Sequence, residues 1–375
     1  MSPARPTSAP DSPPTDPVDR TDPLQRAAAA ASAHRALGRR KRLVLLALLM
    51  LTVAVFVADV MVGGAGMGLT SLLRALFTPW ATPAVDVRIV WDIRLPMSLT
   101  GLLVGAALAV AGAQMQTILD NPLAEPYTLG ISAAAGFGAA LSVVIGVTAL
   151  PLGSVLGMAG SAWTFAMLAC AVIVVFGLVR QANPEAVILL GIALVFLFSA
   201  LLSLMQYVAN EAQLQQVVFW TLGSLGRAGW PQIALLATVL VLIVPLFARA
   251  SVTMTAFRLG DARASALGVR VQRVRILTLI GVSLLAATAV ALSGTIGFVG
   301  LVGPHVARML VGEDQRHFLP ASLLCGSCLL VAASLVSKLL VPGVIVPVGI
   351  ITSIVGVPVF VLLILTNRRR SWPSN

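Results

Sequence analysis

Arg94-Leu95-Pro96-Met97 leads through an apolar segment to Gln114-Met115-Gln116, then to Asn121-Pro122-Leu123-Ala124-Glu125-Pro126, and on to Leu129-Gly130-Ile131-Ser132 and Gly136. Apolar helices enter and leave the hexapeptide. Its two prolines, four positions apart, cannot both lie in a continuous helix, because each lacks an N–H donor and disfavours helical geometry in the residue before it. The chain must break and reverse at Asn121–Pro126, between two membrane-depth segments. Irregular backbone at that depth survives only where it is buried in protein or lines a watery cavity. Such a turn points to a pathway or a gate.

The composition sets the class. The chain has 375 residues, 58% of them hydrophobic and only 10% charged, which suits a polytopic membrane protein. Its only lysines are Lys41 and Lys338, and neither follows a glycine. There is thus no Gly-Lys phosphate loop, and the chain is not expected to be an enzyme that hydrolyses nucleotide. The net charge of +11 reads as arginine on the cytoplasmic side of a membrane rather than as nucleic-acid binding. Cys170, Cys325 and Cys328 all lie in apolar runs. The C-x-x-C pair has no second pair or nearby histidine, so these are read as small buried helix residues, with no metal or cofactor expected.

Working outward along the chain, residues 1–38 form a tail, rich over most of its length in Pro, Ser, Thr, Asp and Ala and without apolar periodicity, expected to be disordered. Arg39-Arg40-Lys41-Arg42 then abuts the first apolar run, about 43–62. Residues 63–93, with Trp80 and Trp91, read as an outer loop with an interfacial aromatic belt. Further membrane helices are expected at about 97–119, 126–147, 163–178, 186–207, 232–247, 276–292, 295–310, 319–337 and 345–366. Residues 209–231 read as a second outer segment with a short surface helix. The expected fold is therefore all-α: a domain over 39–367 of about ten transmembrane helices, each about 20 residues, with a tail at 368–375.

Charge orients this domain. Seventeen basic residues (Arg35, Arg39, Arg40, Lys41, Arg42, Arg180, Arg249, Arg258, Arg263, Arg270, Arg273, Arg275, Arg308, Arg316 and Arg368–Arg370) fall on one side, against five (Arg74, Arg88, Arg94, Arg227 and Lys338) on the other. The positive-inside rule places both termini in the cytoplasm, Arg94 outside and the Asn121–Pro126 break at the inner face. Glycine spacing at 105–112 and 286–300 offers a faint internal echo of the inverted-repeat type, although small-residue helix packing produces similar spacing.

The acidic residues inside the expected helices reduce to Asp59, which argues against a proton- or sodium-coupled carrier. A partner that supplies the work is the simplest remaining source of energy. The long inner segment 251–270 contains Leu259-Gly260-Asp261-Ala262-Arg263-Ala264-Ser265-Ala266-Leu267-Gly268, a short alanine-rich helical stretch between glycines. By itself it reads first as an amphipathic surface helix.

Taken together, these residues resemble the membrane permease of type II ABC importers for ferric siderophores, haem and vitamin B12. The motifs are Arg94-Leu95-Pro96, Gly105–Gly112, Asn121–Pro126 with Gly130-Ile131-Ser132, Trp220 with Gly223-Ser224, and Gly260–Gly268. They continue with Gly297–Leu301, Pro304-His305 and Arg308, Leu319-Pro320, Pro347–Ile350 and Gly356–Phe360. The resemblance covers nearly all of residues 43–366. It implies a vitamin B12 permease-like subunit in the cytoplasmic (inner) membrane, working as a homodimer or as a heterodimer with a similar permease. Separate ABC ATPase subunits would bind inside and a substrate-binding protein outside, with siderophore iron the first expectation for cargo. It assigns Arg94 and Lys338 to binding-protein docking, Asn121 and Leu123 to the inner gate, and Gly260, Asp261, Ala264, Leu267 and Gly268 to ATPase coupling. Met97, Asp120, Ser334 and Ile345 depart from the family's usual pattern. A stand-alone carrier or channel is the alternative.

Overall fold

The structure is a computed structural model that describes residues 23–63, 67–146, 153–180, 184–341 and 344–367. Residues 1–22 and 368–375 of the expected tails lie outside the described residues. Two units emerge, residues 1–43 and the main body 44–375.

The described residues are helical throughout, apart from turns and one isolated bridge between Val341 and Val344. The helices are α1 (Pro23–Met61), α2 (Leu69–Phe77), α3 (Ala84–Arg88), α4 (Leu95–Ile118), α5 (Ile131–Val144), α6 (Gly153–Arg180), α7 (Pro184–Val208) and α8 (Glu211–Thr221). They continue as α9 (Trp230–Arg249), α10 (Ser251–Phe257), α11 (Asp261–Ala266), α12 (Val271–Ser293), α13 (Val299–Val311), α14 (Gln315–Leu340) and α15 (Val348–Asn367). Among the described residues, seven helical spans are long and apolar enough to cross a membrane, and α5, α13 and α15 supply three shorter apolar helices. Together they match the ten expected segments of a polytopic all-α protein.

Several boundaries move, and three of the moves have a reason in the chain. Helix begins at Pro23, about twenty residues before the expected first span, because Ala27–Ala31 is a run of the strongest helix former. The second span begins at Ala84 rather than Met97. A π-helical turn over Ile89–Arg94 carries the helix into Pro96, and its wider ring relieves the clash between the proline and the preceding turn. The third span begins at Ile131, since Gly130 sits in the left-handed region at φ 81° and the turn before it is longer than the prolines alone suggest.

The centre of the body is α4. In the most apolar window of α12, and of the 84–118 span that contains α4, 78% is buried, against 17% in α1 and 22% in α7 and α9. The large apolar side chains on the outer faces of α1, α7 and α9, such as Leu46, Phe196 and Val241, are those expected to meet lipid. Glycines let backbones touch at the centre. A Cβ at Gly105 would land on the Gly326 carbonyl of α14, and one at Gly112 on the Gly300 carbonyl of α13. Such contacts are the ordinary means of helix association where no hydrophobic drive exists.

Candidate functional site

The turn leaving α4 is fixed by its own hydrogen bonds. Leu119 caps the helix, Asp120 takes a left-handed φ of 44°, and Asn121 N–H returns to the Gln116 carbonyl at 3.2 Å. The Asn121 Oδ1 accepts from Leu123 N–H at 2.8 Å. Thr128 closes the far side, its Oγ1 accepting from Glu125 N–H and donating to the Glu125 carbonyl. A side chain that satisfies backbone groups freed at a helix end is the usual remedy for such a break. Leu123 projects from this framework with 47% of its surface exposed.

Leu123 and Glu125 line a cavity of about 710 Å³ with Thr221, Thr295, Phe298 and Ser353. The residues come from the turn, the end of α8, the segment before α13, and α15. Glu125 is buried and receives a backbone hydrogen bond from Phe298, the residue that opens α13. It thus sits at the positive end of that helix. Burial nevertheless pushes its carboxyl up to about 7.

At the same end of α4 lies the expected coupling segment. Gly260 (φ 86°) and Gly268 (φ 83°) both occupy the left-handed region and bracket α11. Asp261 opens the helix, Ala264 is fully buried, and Leu267 is exposed just after its end. Three arginines surround the carboxyl end of α4. Arg275 of α12 donates Nε–H to the Ile118 carbonyl at 3.1 Å and pairs with both Asp261 carboxylate oxygens at 2.8 and 2.9 Å. Arg308 of α13 reaches Gln116 Oε1 at 3.1 Å, and Gln116 in turn reaches the Gly300 carbonyl at 3.3 Å. Arg258 and Arg308 share Glu313, and Asp120 lies close enough to Arg258 to oppose the lowering of its pKa by burial. Next to them, Gln315 bonds to Gln114, Thr117 and Thr255.

Arg94 and Lys338 come together at the opposite end of the body, but both are turned inward. Arg94 is 4% exposed and donates to the Val60 and Met61 carbonyls at 3.3 and 2.9 Å. Lys338 Nζ sits 2.9 Å from Asp59 Oδ1 and 2.9 Å from the Asp59 carbonyl, and Ser98 donates to Oδ2 at 2.5 Å. Lys338 is held by the fully buried Asp59 carboxylate, which needs counter-charge where no water can supply it. In this structure neither cation is a free surface charge.

The sequence reading thus locates the turn, the bracketed helix and the Arg94–Lys338 end. It misses Glu125, Gln116 and the roles of Arg275, Arg308 and Glu313. Glu125 stands in the quoted hexapeptide, and its acid between two prolines was the available signal. Arg275 was hidden among basic residues that charge counting treats alike.

A bundle of about ten apolar helices around a buried central helix, with a broken turn at its end and a lined cavity beside it, suits a transport permease. The chain belongs to the FecCD transport family, which matches residues 50–366. It is 36% identical over 310 residues to the hemin transport system permease protein HmuU of Yersinia pestis, covering 82% of this chain and 92% of that one. To the vitamin B12 import system permease protein BtuC of Vibrio cholerae it is 35% identical over 292 residues, covering 78% and 86%. A solved structure described as an inward-facing conformation of a metal-chelate type ABC transporter aligns with a TM-score of 0.73 and 30% identity, over 86% of this chain and 99% of that one. The protein is therefore a multi-pass permease subunit of an ABC importer of this family.

Proposed function

We propose that this chain provides the path by which an ATP-driven importer carries a metal chelate, with ferric siderophore the first candidate, across the cytoplasmic membrane. The observation that carries the reading is the cavity that Leu123 and Glu125 share with α15 and the segment before α13. It is open at the surface of one chain, as the wall of a path completed by a second permease would be. In this reading Leu123 of each copy closes the inner end by apolar contact, and Asn121 holds Leu123 in place. Separate ATPase subunits press on Gly260–Gly268 through Asp261, Ala264 and Leu267. Both termini lie in the cytoplasm, as the arginine distribution favours. Arg94 and Lys338 serve the binding-protein side, and their charges reach a partner only if Lys338 leaves Asp59 and Arg94 leaves the Val60 and Met61 carbonyls.

The test is uptake by the reconstituted assembly of permease, ATPase and binding protein. Ferric siderophores, hemin and cobalamin are offered separately, each with and without ATP. ATP-dependent accumulation of a ferric siderophore supports the reading. Accumulation of hemin or cobalamin alone moves the cargo to that class, in line with the names of the two relatives. Accumulation without ATP or an ATPase subunit removes the importer mechanism.

A further inference from the structure

We infer that Arg275 is the positioning residue through which movement of α11 reaches the Asn121–Pro126 turn. The inference rests on reading α11 as the segment that receives the ATPase. Few groups tie α11 to the body. It is six residues long with a left-handed glycine on each side, and Ala264 is its one buried residue. Its only charge-assisted tie to a membrane helix, among the described residues, is Asp261 with Arg275.

The other contacts of Arg275 give this tie its direction. Arg275 is 4% exposed, and its guanidinium lies over the Phe257 ring, 5.9 Å from the ring centre. One terminal nitrogen, Nη2, holds both oxygens of the carboxylate that opens α11, while the adjacent Nε–H holds the Ile118 carbonyl. Ile118 is the last residue of α4, two positions before Asp120 and three before Asn121. A planar guanidinium presents its donors in a fixed fork, so it joins two groups as a rigid strut. Displacing α11 must therefore either drag the end of α4 or break the Arg275–Asp261 ion pair. The positive charge also sits at the negative end of the α4 dipole, which favours moving together over separating. Lysine could keep the charge but not both sets of bonds, because its ammonium is a point charge on a flexible stem.

The experiment uses the full permease with its ATPase subunit in lipid nanodiscs. Cys170, Cys325 and Cys328 are replaced by alanine, and Leu123→Cys serves as reporter. The rate of maleimide labelling is measured with and without ATP and vanadate. In this parent, nucleotide trapping should change the rate at least about fivefold, the lower end of ordinary coupling between sites. Arg275→Lys should reduce the change to less than about twofold while the ATPase subunit still co-purifies. Asp261→Asn, whose side chain is half-exposed, should likewise reduce the change to less than about twofold. Combining the two should add nothing further. Arg275→Lys and Asp261→Asn variants that keep the parental change overturn the inference. So does a parent that retains its ATPase but shows no change. A parent that never retains the ATPase removes the importer reading itself, and this inference with it.

Discussion

Replacing Lys338 by methionine should be one of the most damaging single changes outside the path. The substitution keeps the length and apolar stem of the side chain and deletes only its charge. Asp59 is 0% exposed, so its carboxylate would be left with Ser98 as its remaining side-chain partner. At the observed 2.9 Å separation, two unit charges attract by about 6 kcal/mol at an effective dielectric constant of about 20. Desolvation of both groups offsets much of that. What the variant loses is the difference between a paired and an abandoned buried charge, about 3–5 kcal/mol. The double variant Asp59→Asn with Lys338→Met removes both charges and should recover most of the loss. Thermal unfolding of the detergent-purified protein, followed by fluorescence-detected size exclusion for all four members of the cycle, measures this directly. A single variant that costs less than about 1 kcal/mol, or a double variant no better than Lys338→Met, would refute the reasoning. Binding-protein affinity measured on the same four proteins separates structural pairing from docking, because Asp59→Asn should free Lys338 for a partner if docking is its role.

Other expectations follow from the central elements. Burial raises the Glu125 pKa from 4.5 to about 7. The native state therefore holds this proton more tightly than the unfolded chain, and stability falls as pH rises through 4.5 to 7. The cost reaches about 3 kcal/mol above that window. Glu125→Gln should flatten the fall in a pH series of melting curves, and an unchanged slope would contradict it. Gly112→Ala places a methyl group on the Gly300 carbonyl and should cost about 1–3 kcal/mol as α4 and α13 separate, read as lower yield and melting temperature. Leu123→Ala should leave folding nearly unchanged, because the side chain is 47% exposed, while allowing small-solute efflux from vesicles that hold the complex. A tight, fully coupled variant would take Leu123 out of the gate.

Much of the architecture is legible in the sequence because a membrane helix needs only a long apolar run, and a break in it needs only prolines. Helix ends are harder to read. Pro96 suggests a start at Met97, but the π turn before it keeps the helix going, and nothing in the local composition signals that. The site around the turn divides the same way. Asn121, Leu123 and the bracketing glycines are visible as motifs, whereas Arg275 finds Ile118 from 157 positions away, through a fold that single-sequence patterns do not encode. Arg94 and Lys338 look like surface charges because positive residues at helix ends usually are. Asp59 alters that, since one buried acid near the end of α1 draws Lys338 inward and Arg94 beside it caps the carbonyls of Val60 and Met61.

The position of α4 at the centre has a consequence for how the protein is made. Gln114 and Gln116 are both fully buried, and their partners are supplied late. Gln114 bonds to a residue 201 positions further on, and Gln116 to residues 184 and 192 positions further on. At an ordinary translation rate of about 5–20 residues per second, the gap is about 10–40 s. During that time α4 is already synthesised, with two amides lacking their final partners. A ribosome-released fragment ending before Val299 should therefore be a substrate for membrane quality control. The nascent chain is most vulnerable in its middle, after its central helix exists and before the helices that complete it have left the ribosome.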